Sequence, residues 1–148
     1  MKSNSVKLHR VFRANPEKVY RAFTEPNAYS AWLPPYGYVG EVQQMEVYVG
    51  GSYKMSFTNF STGNIQSFGG KYVEMEPNTF LKYTDVFDDA NLPGEMITSV
   101  WFKKVSVGTE VNITQEGIPA AIPAESCYLG WQESLEKLKR LVESEVLD

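Results

Sequence analysis

The sequence predicts an α+β fold: a curved antiparallel sheet of about seven strands wraps a long C-terminal helix, and two short helices follow the first strand. Three observations carry this. Between Val39 and Glu116, short apolar/polar alternations are separated by turns rich in Gly, Pro and Asn, with no stretch long enough for a crossover helix. The strands must then run antiparallel as a meander. From about Pro123 to Val146 the apolar period changes to that of a helix. Between the first strand and the meander lie two helix starts, Asn15-Pro16 and Pro26.

Val6, Leu8 and Phe12 set the period of a half-buried strand over Val6 to Arg13. Asn15 can accept the free N–H groups of a helix start, Pro16 suits the first helical position, and Glu17 complements the positive end of the dipole. Val19, Tyr20 and Phe23 then share one face. Pro26 opens a second helix, Asn27 to Leu33, where Tyr29 and Trp32 meet by i,i+3 spacing before Pro34-Pro35 stops it. Strands are predicted at Val39–Val47, Ser52–Asn59, Ser67–Met75, Phe80–Phe87, Met96–Val105 and Thr109–Glu116. Gly50-Gly51, Thr62-Gly63-Asn64, Pro77-Asn78, Pro93-Gly94 and Val107-Gly108 are the turns between them. Gly69-Gly70, inside a strand, marks a bulge or a bend.

In the last segment Cys127, Trp131, Leu135, Leu138 and Val142 form an apolar stripe, while Glu133–Lys137 and Glu136–Arg140 are i,i+4 pairs on the other face. A helix of ~24 residues spans about 36 Å, enough to cross the sheet. Gly130, in its middle, costs about 1 kcal/mol relative to Ala, and close packing on the sheet is the expected compensation, with approach of a ligand second.

Composition narrows the function classes. With 148 residues and no repeat or linker, one domain over residues 1–148 is expected. Lys and Arg are scattered among a larger number of acids, for a net charge of −4, so no basic stripe favours nucleic acid. No run approaches a membrane span, and the polar start, Met1 to Ser5, is unlike a signal peptide. A single cysteine cannot form an internal disulfide, and a cytoplasmic location is the expectation. Three Trp, nine Tyr and eight Phe, 14% of the chain, exceed what so small a core needs.

Four segments, in order, resemble one family: RVFRANPEKVYRAFT (Arg10 to Thr24) followed by Trp32; the turn Val49-Gly50-Gly51-Ser52-Tyr53; Gly70-Lys71-Tyr72-Val73-Glu74 with Pro77 and Leu81-Lys82-Tyr83-Thr84; and Gly108-Thr109-Glu110-Val111 with Gly130-Trp131, Leu135 and Leu138. The chain resembles the helix-grip fold of START-like (SRPBCC) domains, and within them the homologues of the activator of the heat-shock-protein-90 ATPase. The resemblance implies a cavity between sheet and C-terminal helix for a small hydrophobic molecule. Tyr48 stands where the family often has Arg, and Gln115 where many members have His. The implied cavity therefore binds by shape and apolar contact, with tyrosines setting orientation. It also implies a co-chaperone alternative, disfavoured because the additional N-terminal domain of eukaryotic activators is missing from this sequence. A homodimer through a sheet edge or the long helix is left open.

Tyr53, Met55 and Phe57 alternate on one strand and so share a face, which Tyr83 can join. With Trp32, Tyr72 and Trp131 they are the candidate ligand-binding residues, plain filling of the core being the competing reading. Trp32 fits either a lid or a staple for the Pro34-Pro35 loop. No catalytic relay, cofactor or metal is expected. His9 is the only histidine and reads as an edge residue, Cys127 has no cation near it in sequence to activate it, and Asp85, Asp88 and Asp89 read as a solvated loop. Glu74 and Glu116 are the carboxylates that could face the cavity as acid or base, with Tyr53 or Tyr83, in a cyclase- or hydrolase-like alternative.

Overall fold

The computed structural model describes residues 3–148. Its elements in chain order are β1 (Asn4–Phe12), α1 (Pro16–Thr24), α2 (Pro26–Trp32), β2 (Tyr38–Met45), β3 (Ser52–Asn59), β4 (Ile65–Glu76), β5 (Phe80–Phe87), β6 (Met96–Val105), β7 (Gly108–Ile118) and α3 (Ala124–Val142). Seven strands form one antiparallel sheet in the order β1-β7-β6-β5-β4-β3-β2. The meander closes on β1 at one end and leaves β1 and β2 as edges.

Local chemistry explains the starts. Asn15 Oδ1 accepts the Lys18 N–H at 2.8 Å, and Pro16 opens α1. Trp32 is buried and donates Nε1–H to the Ala22 carbonyl at 2.8 Å, its ring edge-on to Phe23 at 4.7 Å. It staples α2 to α1 and is no lid.

Of the bulge or bend expected at Gly69-Gly70, the bulge lies elsewhere. The register shift falls between Tyr72 and Glu74, two residues later. The glycines are instead points of close approach: a Cβ on Gly70 would lie 1.9 Å from the Thr84 carbonyl oxygen, and one on Gly69 2.4 Å from that of Tyr53. Neighbouring backbones crowd in where the sheet coils, and only residues without a side chain fit.

α3 stops at Val142, four residues short of the expected Val146, with Glu143 as its C-cap. Val142 is the last residue of the stripe with core beneath it; Val146 is 84% exposed. Two contacts tie this end to the β1–α1 junction, Arg13 N–H to Glu143 Oε2 at 3.0 Å and Lys18 Nζ to the Ser144 carbonyl at 3.1 Å. Of the two expected i,i+4 pairs, Glu136 and Arg140 approach to 3.9 Å. Glu133 and Lys137 instead clamp the loop after α2, the former accepting the Tyr36 N–H and the latter donating to the Pro34 carbonyl at 2.7 Å. α3 therefore packs on β1, α1 and α2, and its Cys127 and Trp131 side chains reach Gln115 of β7.

Candidate functional site

Between α3 and the sheet lies a cavity of about 510 Å³, open on one side. Its floor is built by strand alternation: Tyr83, Asp85 and Phe87 point inward from β5, Phe57 from β3, Phe68 from β4, Met96 from β6 and Gln115 from β7. The roof is α3, which contributes Cys127, Gly130, Trp131 and Ser134, and the α2 side contributes Tyr29 and Leu33. Tyr38, Asn64, Ile65 and Ser126 are exposed lining residues and mark the mouth, between the β3–β4 hairpin and the start of α3.

Gly130 makes the room. A Cβ placed on it meets nothing within 4 Å, so close packing on the sheet, the expected reason for a mid-helix glycine, is replaced by its opposite: the side chain is missing where the cavity is.

The wall carries two polar centres. The first is Gln115, buried, whose Oε1 accepts Trp131 Nε1–H at 3.0 Å and the Cys127 thiol at 3.3 Å, while its Nε2–H donates to Thr98 Oγ at 3.2 Å. The amide thus fixes the indole against the cavity. Burial pushes the Cys127 thiol up to about 11, which leaves it protonated and unreactive.

The second centre is Asp85. It is not in a solvated loop with Asp88 and Asp89, as its sequence neighbourhood led one to expect, but inside β5 and 8% exposed. Tyr53 donates its hydroxyl to Asp85 Oδ1 at 2.6 Å and lies 3.0 Å from the Thr84 carbonyl. Behind it the Tyr29 and Tyr83 hydroxyls are 3.0 Å apart. Burial raises the Asp85 carboxyl to about 7, the Tyr53 hydrogen bond only partly opposing it. Burial likewise raises the phenols of Tyr29, Tyr53 and Tyr83, which therefore stay neutral donors. Glu74 and Glu116, the carboxylates expected at the cavity, are exposed on the sheet and outside its wall.

Of the candidate ligand residues, Phe57, Tyr83 and Trp131 line the cavity. Trp32, Tyr53, Met55 and Tyr72 are buried outside it; Tyr53 and Tyr72 pack with Phe23, Leu81 and Tyr83 with no room left between them for a water molecule. Sequence reasoning missed Tyr29, Phe68, Asp85 and Phe87 in this role. The alternation Leu81, Tyr83, Asp85, Phe87 was the available signal for the last two. His9 sits on the edge strand β1, exposed, 3.0 Å from Glu110. Among the described residues no group of three or more His, Cys, Asp or Glu is placed to hold a metal, and no helix is long and apolar enough to cross a membrane.

A seven-stranded antiparallel sheet holding a C-terminal helix over a hollow is the helix-grip architecture of START-like proteins. Residues 13–143 match the family described as Activator of Hsp90 ATPase homolog 1-like protein, and the chain belongs to that family. A solved structure from Chromobacterium violaceum is 52% identical and superposes with a TM-score of 0.95, covering 96% of this chain and 99% of that one. A protein from Rhodobacter sphaeroides (23% identity, TM-score 0.80, 93% and 90% covered) and an AHSA1-like protein from Aeromonas hydrophila (21%, 0.75, 95% and 92%) share the fold. No curated protein matches the chain.

Proposed function

We propose that this protein binds a small hydrophobic or aromatic molecule in the cavity between its sheet and α3. The observation that carries the reading is the cavity itself: about 510 Å³, walled by seven aromatic side chains, with the helix glycine Gly130 placed where any side chain would fill it. This volume lies in the range of small-molecule sites, and a few convergent polar groups set in an apolar wall are their usual make-up. An aromatic wall of this size left to water exposes apolar surface whose burial by a ligand returns roughly 25 cal/mol per Å².

Native mass spectrometry of the protein as isolated, with a thermal-shift screen of neutral apolar and aromatic compounds, tests the reading. One ligand per chain that raises the melting temperature and is displaced by other cavity-sized compounds supports it. A protein that stays unliganded and unshifted by the whole screen refutes it.

A further inference from the structure

Among the described residues the cavity wall contains one carboxylate and no cation. Asp85 is the only Asp or Glu, and there is no Lys, Arg or His, among the described lining residues. Its Oδ1 is satisfied by Tyr53. Among the described residues its Oδ2 takes part in no hydrogen bond, and Asp85 is one of the residues that line the cavity. A carboxylate more than nine-tenths buried in the lining of an apolar hollow, with one oxygen held and the other making no hydrogen bond among the described residues, is half of an interaction.

The described titratable groups that act on Asp85 are all weak acids, Tyr53 from β3, Tyr83 from its own strand and Tyr29 from α2, and the roof adds one more, Cys127. Ionisation of any of them would add negative charge, so nothing among the described residues of the wall can neutralise an anionic ligand. Phe57, Phe68, Phe87 and Trp131 line the same space, and an aromatic ring that presents its face to a cation attracts it. Geometry and charge therefore select one class of head group.

We propose that the occupant is an apolar molecule bearing a basic amine, its ammonium group seated on the free oxygen of Asp85 and its apolar body between the sheet and α3. This deepens the apolar-ligand reading and rests on it. The carboxyl, held up near 7 by burial, gains an opposite charge that draws its titration downward and keeps it ionised in the complex. Amine binding therefore strengthens as pH rises from 6 to 8, where alkylamines are still protonated.

Three matched probes test this by titration calorimetry: 4-phenylbutylamine, the neutral 4-phenylbutan-1-ol and the anionic 4-phenylbutyrate. The expected result at pH 8 is at least tenfold tighter binding of the amine than of the alcohol, with the carboxylate weakest. Asp85→Asn, which keeps an acceptor for Tyr53, should erase the preference for the amine over the alcohol. In wild type the amine-to-alcohol ratio should grow severalfold between pH 6 and 8, a measurement that holds even if the variant does not fold. Equal affinities for amine and alcohol, a preference that survives Asp85→Asn, or a ratio insensitive to pH each overturns the amine assignment while apolar binding stands. No binding of amine or alcohol at millimolar concentration overturns both.

Discussion

The two halves of α3 face opposite kinds of space. Its C-terminal half presents Leu135, Leu138 and Val142, each no more than 2% exposed, to a close-packed core with Phe12, Phe102, Val111 and Ile113. Its N-terminal half presents Cys127, Gly130 and Ser134, small residues, to the hollow. One helix is thus an anchor at one end and a roof at the other, and the difference lies in side-chain volume rather than in secondary structure. The polar groups divide the same way: Asp85 and Gln115 lie under the roof, where a ligand can reach them.

The contrast can be broken by experiment, and the largest effect belongs to Asp85. Its carboxyl titrates near 7 in the folded chain against the usual 3.8, so the native state keeps its proton after the unfolded chain has lost it. Stability should therefore fall as pH rises from about 4 to about 7 and level off above, by up to about 4 kcal/mol at about 1.4 kcal/mol per unit. Urea denaturation across pH 4.5–8 should show Asp85→Asn flattening this slope and exceeding wild type at pH 8. Parallel profiles would place the carboxyl in a more solvated setting than the structure shows.

Next in size is a truncation in each half. Leu138→Ala leaves a void in packed core and should cost about 3 kcal/mol, whereas Phe87→Ala removes a half-buried ring that already faces the hollow and should cost about 1–2 kcal/mol. Equal costs by the same assay would mean that both halves are solid. The smallest effect is a gain: Gly130→Ala meets no neighbour and should stabilise α3 by about 1 kcal/mol, and a loss instead would show that the space at Gly130 is already occupied.

Most of the fold was legible in the sequence because its signals are local. The bounds of β3, β5 and β6 follow from alternation and turn residues alone, and the Asn15-Pro16 start of α1 from capping chemistry. The site was legible only in part, because hollow and solid are not local properties. Phe57 and Met55 share one face of β3, yet Phe57 lines the cavity and Met55 is sealed in core, a difference that alternation along the strand does not encode. Asp85 was missed for another reason. Its neighbours Asp88 and Asp89 give the segment the composition of a loop, but its period-two relation to Tyr83 and Phe87 places it inside, and periodicity outweighed composition. Gly130 announced that a side chain was missing, and the three-dimensional structure alone shows that what replaces it is empty volume.

The central claim is that the roofed half of the molecule is a ligand site, and Gly130→Leu tests it most directly. Fluorescence titration with neutral N-phenyl-1-naphthylamine should show saturable one-to-one binding to wild type. The variant should bind at least tenfold more weakly while its melting temperature is unchanged or raised, since a Cβ at this position meets nothing within 4 Å and the rest of the side chain has the cavity that Gly130 lines to enter. Equal binding to both proteins, or none to wild type, would contradict it.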